Sequence, residues 1–167
     1  MKVEHQNKLR KVGILVVSDT RAEAAKKGKD TDVSGRILER ELRKKGYNTI
    51  REIIPNNGKI IKKILQRLLR DPQISAILIT GGTGISKRDV TIETVEPMYE
   101  KYVVGIGEAL RKLGYERIGF PALLSRTSAG IISGKPVFCL PGTPNAVKVS
   151  IRFLLQNFDY IIREASK

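Results

Sequence analysis

The sequence predicts a three-layer α/β sandwich, in which helices cover both faces of a mostly parallel sheet. Short runs of β-branched residues alternate with longer segments of helical periodicity, which is the order expected of βαβ units. Near the C-terminus, the strand-like runs SAGII and PVFCL are separated only by residues 133–135. A parallel crossover needs about a dozen residues or more, so these two strands are predicted to pair as one antiparallel edge of the sheet.

The first half of the chain begins with a predicted strand over residues 12–17, followed by a polar, lysine-rich loop. Asp32 or Ser34 can cap the next helix, which runs to about Lys45 and stops at Gly46. Residues 48–54, NTIREII, form the second predicted strand.

A second helix is predicted to begin at the Asn56-Asn57 pair that follows Pro55. Its apolar positions follow helical spacing, and its other side is basic. That basic side is either an ordinary solvated face or an anion- or membrane-facing stripe, and it consists of Lys59, Lys62, Lys63, Arg67 and Arg70.

The second half supplies a buried strand, two helical segments and the two short strands, in the order 75–79, 91–101, 105–115, 128–132 and 136–140. The last helix is predicted to be capped by Thr143, to have Pro144 at its first position and to continue through Leu155.

The composition indicates one domain with an anionic ligand or partner. A chain of 167 residues can bury one core, so we predict a basic tail over residues 1–11 and a single domain over 12–167. The formal net charge of +14 leaves nucleic acid, anionic lipid and phosphorylated metabolites as candidates. Aromatic residues make up only 5% and Trp is absent, which disfavours nucleic acid, and we expect no specific nucleic-acid partner.

Cysteine and histidine are scarce. Cys139 is the single cysteine, so an intrachain disulfide is excluded, and its apolar surroundings predict a buried side chain. His5 is the only histidine, which disfavours zinc. No apolar run approaches the ~20 residues of a membrane span. We therefore expect a cytoplasmic protein with no membrane span.

Three predicted strands end in small polar clusters. Ser18 and Asp19 follow the first strand, TGGTG at residues 80–84 follows the third, and PGTP at residues 141–144 follows the last. Ligands bind at the carboxyl ends of the strands in doubly wound sheets, so the three clusters are expected to converge on one crevice.

The TGGTG loop is predicted to bind an anion. Its glycines allow positive φ and close approach, so that successive N–H groups can turn toward an oxyanion. The segment fits neither GxxxxGK[ST] nor GxGxxG, which disfavours a Walker ATPase and a standard dinucleotide fold. A structural turn is the alternative interpretation.

Asp89 follows this loop, and we predict that it binds Mg²⁺. Polyphosphates travel with Mg²⁺, which prefers oxygen ligands and often takes one or two carboxylates. Glu93, one helical turn later, could assist. The alternative is that Asp89 only caps a helix starting near Val90.

Taken together, the motifs VSD, DVSG, TGGTG…RDVT, SR…AGI and GKPVFCLPGTP resemble the MoaB/MogA family of molybdenum cofactor biosynthesis over residues 10–160, and most of all its MoaB branch. The resemblance implies a molybdopterin-binding, MogA-like fold and a homotrimer or homohexamer, with possible further partners among the pathway proteins. It also implies that molybdopterin is adenylylated with Mg-ATP, which releases pyrophosphate before molybdate or tungstate is inserted.

Carried over by motif, the resemblance implies that Asp89 is the catalytic residue and a Mg²⁺ ligand, with Asn56 as a candidate second ligand. The residues implied to bind molybdopterin or ATP are Ser18, Asp19, Asp32, Ser34, Gly35, Thr80, Gly81, Gly82, Thr83, Gly84, Ser125, Arg126, Pro141, Gly142, Thr143 and Pro144.

Structural alternatives remain for several of these residues. Asp32 and Ser34 could only cap a helix, Pro141 and Gly142 could only turn the chain, and Arg126 could pair with a surface acid.

One position departs from the family pattern. Active relatives commonly carry Asp directly after the proline that ends strand two, where this chain has Asn56. Asn can ligate a cation but lacks charge and cannot act as a base. A molybdopterin adenylyltransferase is therefore the leading hypothesis, and a non-catalytic molybdopterin-binding or carrier protein is the alternative.

Overall fold

The computed structural model describes residues 10–167, and its core is one six-stranded sheet. The strands are β1 (Lys11–Val17), β2 (Asn48–Ile54), β3 (Ile74–Thr80), β4 (Lys101–Tyr102), β5 (Ser128–Ile132) and β6 (Lys135–Leu140). Their order in the sheet is β2-β1-β3-β6-β5-β4. The pairs β1–β2, β1–β3 and β3–β6 are parallel, and β5 runs antiparallel to β6 as predicted.

Seven helices connect and cover the strands in the described part of the chain. They are α1 (Asp19–Lys26), α2 (Ser34–Lys44), α3 (Gly58–Arg70), α4 (Thr91–Val95), α5 (Val104–Ile118), α6 (Pro144–Leu155) and α7 (Phe158–Ala165). Short 3₁₀ helices occupy Glu96–Met98 and Phe120–Leu124.

Two hydrophobic clusters, one on each face of the sheet, confirm the three-layer sandwich. Alternate residues of β1 point to opposite faces, because successive side chains of a strand alternate. Val12, Ile14 and Val16 pack with α2, α5, α6 and α7. Leu15 and Val17 pack with α3 and α4 on the other face.

The structure differs from the sequence-based prediction at several elements. The predicted loop after β1 contains α1, whose single buried residue, Ala22, gives almost no hydrophobic periodicity. The predicted helix over 91–101 ends early, because a 3₁₀ turn that contains Pro97 begins at Glu96 and the two-residue strand β4 follows. Helix α7, after α6, was also not predicted.

The predicted basic tail lies mostly outside the described residues, which begin at Arg10. Lys11 belongs to β1, so the strand starts one residue earlier than predicted. Over the described chain, no helix is long and apolar enough to cross a membrane.

Candidate active site

The carboxyl ends of β1, β3 and β6 lie side by side, which confirms the predicted convergence of the three polar clusters. Val16 is the register partner of Thr80, and Thr80 is the register partner of Leu140. The residues that follow these positions therefore leave the sheet at the same edge.

The glycines of the TGGTG loop fit against the neighbouring strand ends. Gly81 and Gly82 have φ values of 94° and 67°, which favour glycine. A Cβ on Gly81 would lie 2.3 Å from the carbonyl oxygen of Val17, and a Cβ on Gly142 would lie 3.2 Å from the Cα of Gly81. The three loops therefore touch through backbone, and side chains larger than hydrogen would push them apart.

Two buried hydroxyl groups hold the loop that follows β6. The Oγ1 of Thr80 donates to the carbonyl oxygen of Pro141 at 2.7 Å, and the Oγ of Ser34 donates to that of Gly142 at 2.7 Å. Both side chains are buried, so the described structure shows them supporting the loop rather than lining an open surface. Their predicted contact with the ligand stays a prediction.

Asp32 is completely buried at the start of α2. Its Oδ1 accepts the backbone N–H of Gly35 at 2.9 Å, and its Oδ2 pairs with Nη1 of Arg51 at 2.7 Å. Asp32 therefore bonds the first turn of α2, although the residue directly before the helix is Val33, which makes no side-chain capping bond. Ser34 is the first residue of the helix and reaches Gly142 instead.

Arg51 was missed by the sequence-based prediction. It lies on β2, its side chain is 15% exposed, and it also pairs with Asp30 at 2.6 Å and Glu39 at 2.8 Å. Its guanidinium holds the pKa of Asp30 far below the usual range. The only signal in the sequence is a charged residue inside the strand run NTIREII.

Asp89 does not cap α4. The helix begins at Thr91 after Val90, which makes no side-chain capping bond. Instead, Oδ2 of Asp89 accepts the N–H of Ser86 at 3.0 Å, and a Cβ on Gly84 would lie 2.7 Å from that oxygen. The carboxylate therefore lies against the glycine loop, and its Oδ1 accepts no hydrogen bond from residues 10–167.

Ser125 and Arg126 brace the same loop from the other side. The N–H and Nε of Arg126 donate to the carbonyl oxygens of Thr83 and Gly84, each at 2.8 Å, and the Oγ of Ser125 lies 3.3 Å from Oγ1 of Thr83. The guanidinium also pairs with Glu93 and lowers the pKa of that carboxyl. The alternative that Arg126 pairs with a surface acid is confirmed, and 34% of its side chain remains exposed.

A third side of the crevice, besides the glycine loop and the segment at Ser125 and Arg126, consists of Ser18, Asp19 and Asn56. The Oγ of Ser18 accepts the N–H of Arg21 and caps α1, while Oδ1 of Asp19 accepts the N–H of Asn56 at 2.8 Å. The Oδ1 of Asn56 is buried without a hydrogen-bond partner in the described chain, and a Cβ on Gly82 would lie 2.9 Å from it.

Thr143 and Pro144 end the loop after β6 and start α6 as predicted. Thr143 is the N-cap residue, although its side chain makes no capping bond, and Pro144 takes the first helical position.

A divalent cation fits the chemistry of these oxygens. Within residues 10–167, no group of three or more His, Cys, Asp and Glu side chains could hold a metal alone. The orphaned oxygen of Asn56 and the free oxygen of Asp89 are nonetheless hard ligands of the kind Mg²⁺ accepts beside phosphate oxygens.

Two surface cavities lie away from this edge of the sheet. One of about 450 Å³ lies between α5 and α6, and one of about 370 Å³ lies beside α7. Neither of these two cavities is lined by a predicted site residue.

Comparison with known proteins agrees with this geometry. Residues 13–159 match the family described as a probable molybdopterin binding domain. A probable molybdopterin adenylyltransferase of Methanocaldococcus jannaschii is 39% identical, over 91% of each chain. A molybdopterin adenylyltransferase of Pyrococcus furiosus is 34% identical, over 93% of this chain and 90% of the relative.

Among solved structures, the tungsten cofactor synthesizing protein MoaB from Pyrococcus furiosus superposes with a TM-score of 0.85. It is 33% identical, and the match covers 96% of this chain and 99% of that one. The strand ends, the loops they carry and these similarities lead to one assignment: the chain belongs to the family of molybdopterin-binding domains that includes MoaB.

Proposed function

We propose that this protein adenylylates molybdopterin with Mg-ATP in the biosynthesis of a molybdenum or tungsten cofactor. The observation that carries the proposal is the crevice at the ends of β1, β3 and β6, where glycine-loop N–H groups and Asp89 lie together. The names of two relatives, both adenylyltransferases at 34% and 39% identity, support the same reaction.

In the proposed reaction, a phosphate oxygen of molybdopterin attacks the α-phosphorus of ATP. The new P–O bond forms as the bond to the β-phosphate oxygen breaks, and pyrophosphate leaves with that electron pair. The protein's main contribution is to hold two polyanions in line and to offset their repulsion.

Each wall of the crevice has a role in this proposal. The loop N–H groups of residues 82–84 bind phosphate oxygens, and Arg126 holds the carbonyl oxygens of Thr83 and Gly84 in place. Asp89 and Asn56 would hold Mg²⁺ through Oδ1 atoms. Bound there, Mg²⁺ supplies positive charge against the phosphate oxygens of both substrates.

Binding without catalysis is a second candidate function, and Asn56 favours it. An amide at this position can ligate a cation but adds no negative charge to hold one. Asn56→Asp restores the carboxylate, and under the adenylyltransferase proposal it should keep or raise the rate and strengthen the dependence on Mg²⁺.

The direct test is to incubate the purified protein with molybdopterin, ATP and Mg²⁺ and to measure adenylylated pterin and pyrophosphate. Equal amounts of both products support the adenylyltransferase. Tight molybdopterin binding with no product after hours would establish the binding protein instead.

We further propose a homotrimer or a homohexamer, contacts with other proteins of the pathway and a cytoplasmic location. Exposed apolar side chains on α5 and the 3₁₀ turn after it support self-association, with Ile118 62% and Phe120 67% exposed. The absence of a second cysteine beside Cys139 supports the location. Light scattering that returned a monomer at micromolar concentration would contradict the assembly.

The net charge of +14 also allows a prediction about binding to nucleic acid. Because the basic excess is assigned to polyanionic metabolites, duplex DNA should bind weakly and lose most of its affinity between low and physiological salt. Sequence-selective binding that resists salt would contradict the metabolite assignment.

A further inference from the structure

Three buried hydroxyl groups each hold one carbonyl oxygen of the two loops that meet at the crevice. Besides the bonds from Thr80 to Pro141 and from Ser34 to Gly142, Oγ1 of Thr91 donates to the carbonyl oxygen of Gly81 at 2.8 Å. The three side chains are 0–1% exposed, so none of them has a surface role.

These bonds fix the direction of the neighbouring N–H groups. All described peptide bonds are trans, and in a planar trans peptide the C=O and the following N–H point in opposite directions. The carbonyls held inward therefore turn the N–H groups of Gly82, Gly142 and Thr143 away from the interior. Across residues 10–167, none of these three N–H groups has a hydrogen-bond acceptor in the protein.

The remaining carbonyl oxygens of the glycine loop also accept hydrogen bonds from protein donors. The carbonyl oxygens of Gly82, Thr83 and Gly84 accept bonds from Thr91 N–H and from Arg126. Four successive carbonyls, beginning with Gly81, are thus occupied by protein donors. An unpaired row of N–H groups beside them is an arrangement that binds anions.

The glycines of the loop explain why hydroxyl groups are needed to fix the orientation of its peptides. A peptide flanked by glycine can flip at little cost, because glycine adopts positive and negative φ about equally. A flipped Gly81–Gly82 peptide would present a carbonyl oxygen where an N–H should face the anion. A buried hydroxyl that holds the carbonyl inward prevents this.

We propose that Thr91, together with Ser34 and Thr80, is a positioning residue that orients the N–H groups of Gly82, Gly142 and Thr143 to bind a phosphate or pyrophosphate group. The inference rests on the proposed function for its ligand class, but it assigns these three side chains to the loop carbonyls rather than to the ligand. Thr91 touches no substrate and acts only through Gly81.

The test is calorimetric titration with inorganic pyrophosphate, without divalent cation, so that the N–H groups are examined apart from any metal. Thr91→Val and Thr80→Val remove the hydroxyl at nearly constant shape. Each should raise the dissociation constant by about tenfold, the scale of one hydrogen bond. Thr91→Ser keeps the hydroxyl and should bind like the wild type.

Thr94→Val is the matched control. Oγ1 of Thr94 donates to the carbonyl oxygen of Val90, the residue before α4, at 2.7 Å, and that carbonyl also accepts the backbone N–H of Thr94, so it stays held without the hydroxyl. It loses a bond of the same kind, so its dissociation constant should change by less than about twofold while its unfolding temperature falls comparably. In the wild type, pyrophosphate should shift the NMR amide signals of Gly82, Gly142 and Thr143.

The proposal is overturned if the wild type does not bind pyrophosphate, if the shifted amides lie elsewhere, or if Thr91→Val binds like Thr94→Val. Should Thr91→Val fail to fold, Thr80→Val and Ser34→Ala make the same comparison at the other two carbonyls. The titration measures pyrophosphate binding and does not depend on adenylyl transfer. If the protein binds pyrophosphate but forms no adenylylated pterin in the separate activity assay, the proposed function is contradicted and this inference still holds.

Discussion

Replacing Arg51 by Met should test the buried ion pair that anchors α2 behind the crevice. Arg51 is the only cation within 4 Å of Asp32 in the described chain, and Asp32 is 0% exposed. Removing it leaves a buried carboxylate with one remaining donor, the N–H of Gly35.

The expected loss of stability in Arg51→Met follows from the burial of Asp32. Breaking a buried pair by removing one partner costs about 3–5 kcal/mol, because the remaining charge is uncompensated. For a domain of this size, that corresponds to a fall of roughly 6–20 °C in the unfolding temperature. The pair with Asp30 adds little, since that carboxylate is 37% exposed. The pair with Glu39 adds less than that with Asp32, because Glu39 keeps Arg43 as a second cationic partner.

The assay is urea unfolding followed by circular dichroism at pH 7 and fixed protein concentration. Arg67→Met is the matched control, because Arg67 pairs with Glu52, the neighbour of Arg51 on β2, and is 57% exposed. Its cost should stay below about 1 kcal/mol. If Arg51→Met and Arg67→Met cost the same, the pair with Asp32 does not anchor the helix and this reasoning is refuted.

Three further predictions concern stability and reactivity. Gly35→Ala should destabilise the protein by about 1–3 kcal/mol, since its Cβ would lie within 2.8 Å of three side-chain atoms. In the same denaturation assay, the control Gly105→Ala on α5 should be neutral or stabilising, because its Cβ would meet nothing within 4 Å. Burial raises the pKa of Cys139 to about 12, so a thiol reagent at pH 8 should label it only as the protein unfolds, and rapid labelling of folded protein would contradict its burial. Arg126 lowers the pKa of Glu93 in the folded state below its usual 4.5, so the contribution of the pair is fully present above that pH and declines as the pH falls below it. Glu93→Gln should cost up to about 1 kcal/mol at pH 7 and progressively less below pH 4.5 in the same denaturation assay.

The sheet was predictable because its strands are short apolar runs separated by loops and amphipathic helices. Elements with weak apolar patterns were not: α1 buries only Ala22, and β4 is two residues long. The antiparallel pairing of β5 and β6 followed from the three-residue connection alone.

The site was predictable where neighbours in sequence carry it, as in the glycine loop and Asp89. Contacts set by packing were not. Arg51 meets Asp32 across 19 positions, because β2 lies beside β1 under the start of α2. Thr91 belongs to the recognised RDVT run, yet its hydroxyl reaches Gly81 only because the loop folds back over α4.

The central claim is that the crevice transfers an adenylyl group and that Asp89 serves the reaction. The most direct measurement is the steady-state rate of pyrophosphate release from ATP with molybdopterin and Mg²⁺, compared between the wild type and Asp89→Asn at matched unfolding temperature. Asn nearly matches Asp in shape and leaves the glycine loop intact, so pterin binding should persist. The rate should fall by ~10²-fold or more, the scale of one lost electrostatic contact to a charged transition state. A variant that releases pyrophosphate at the wild-type rate would contradict the claim.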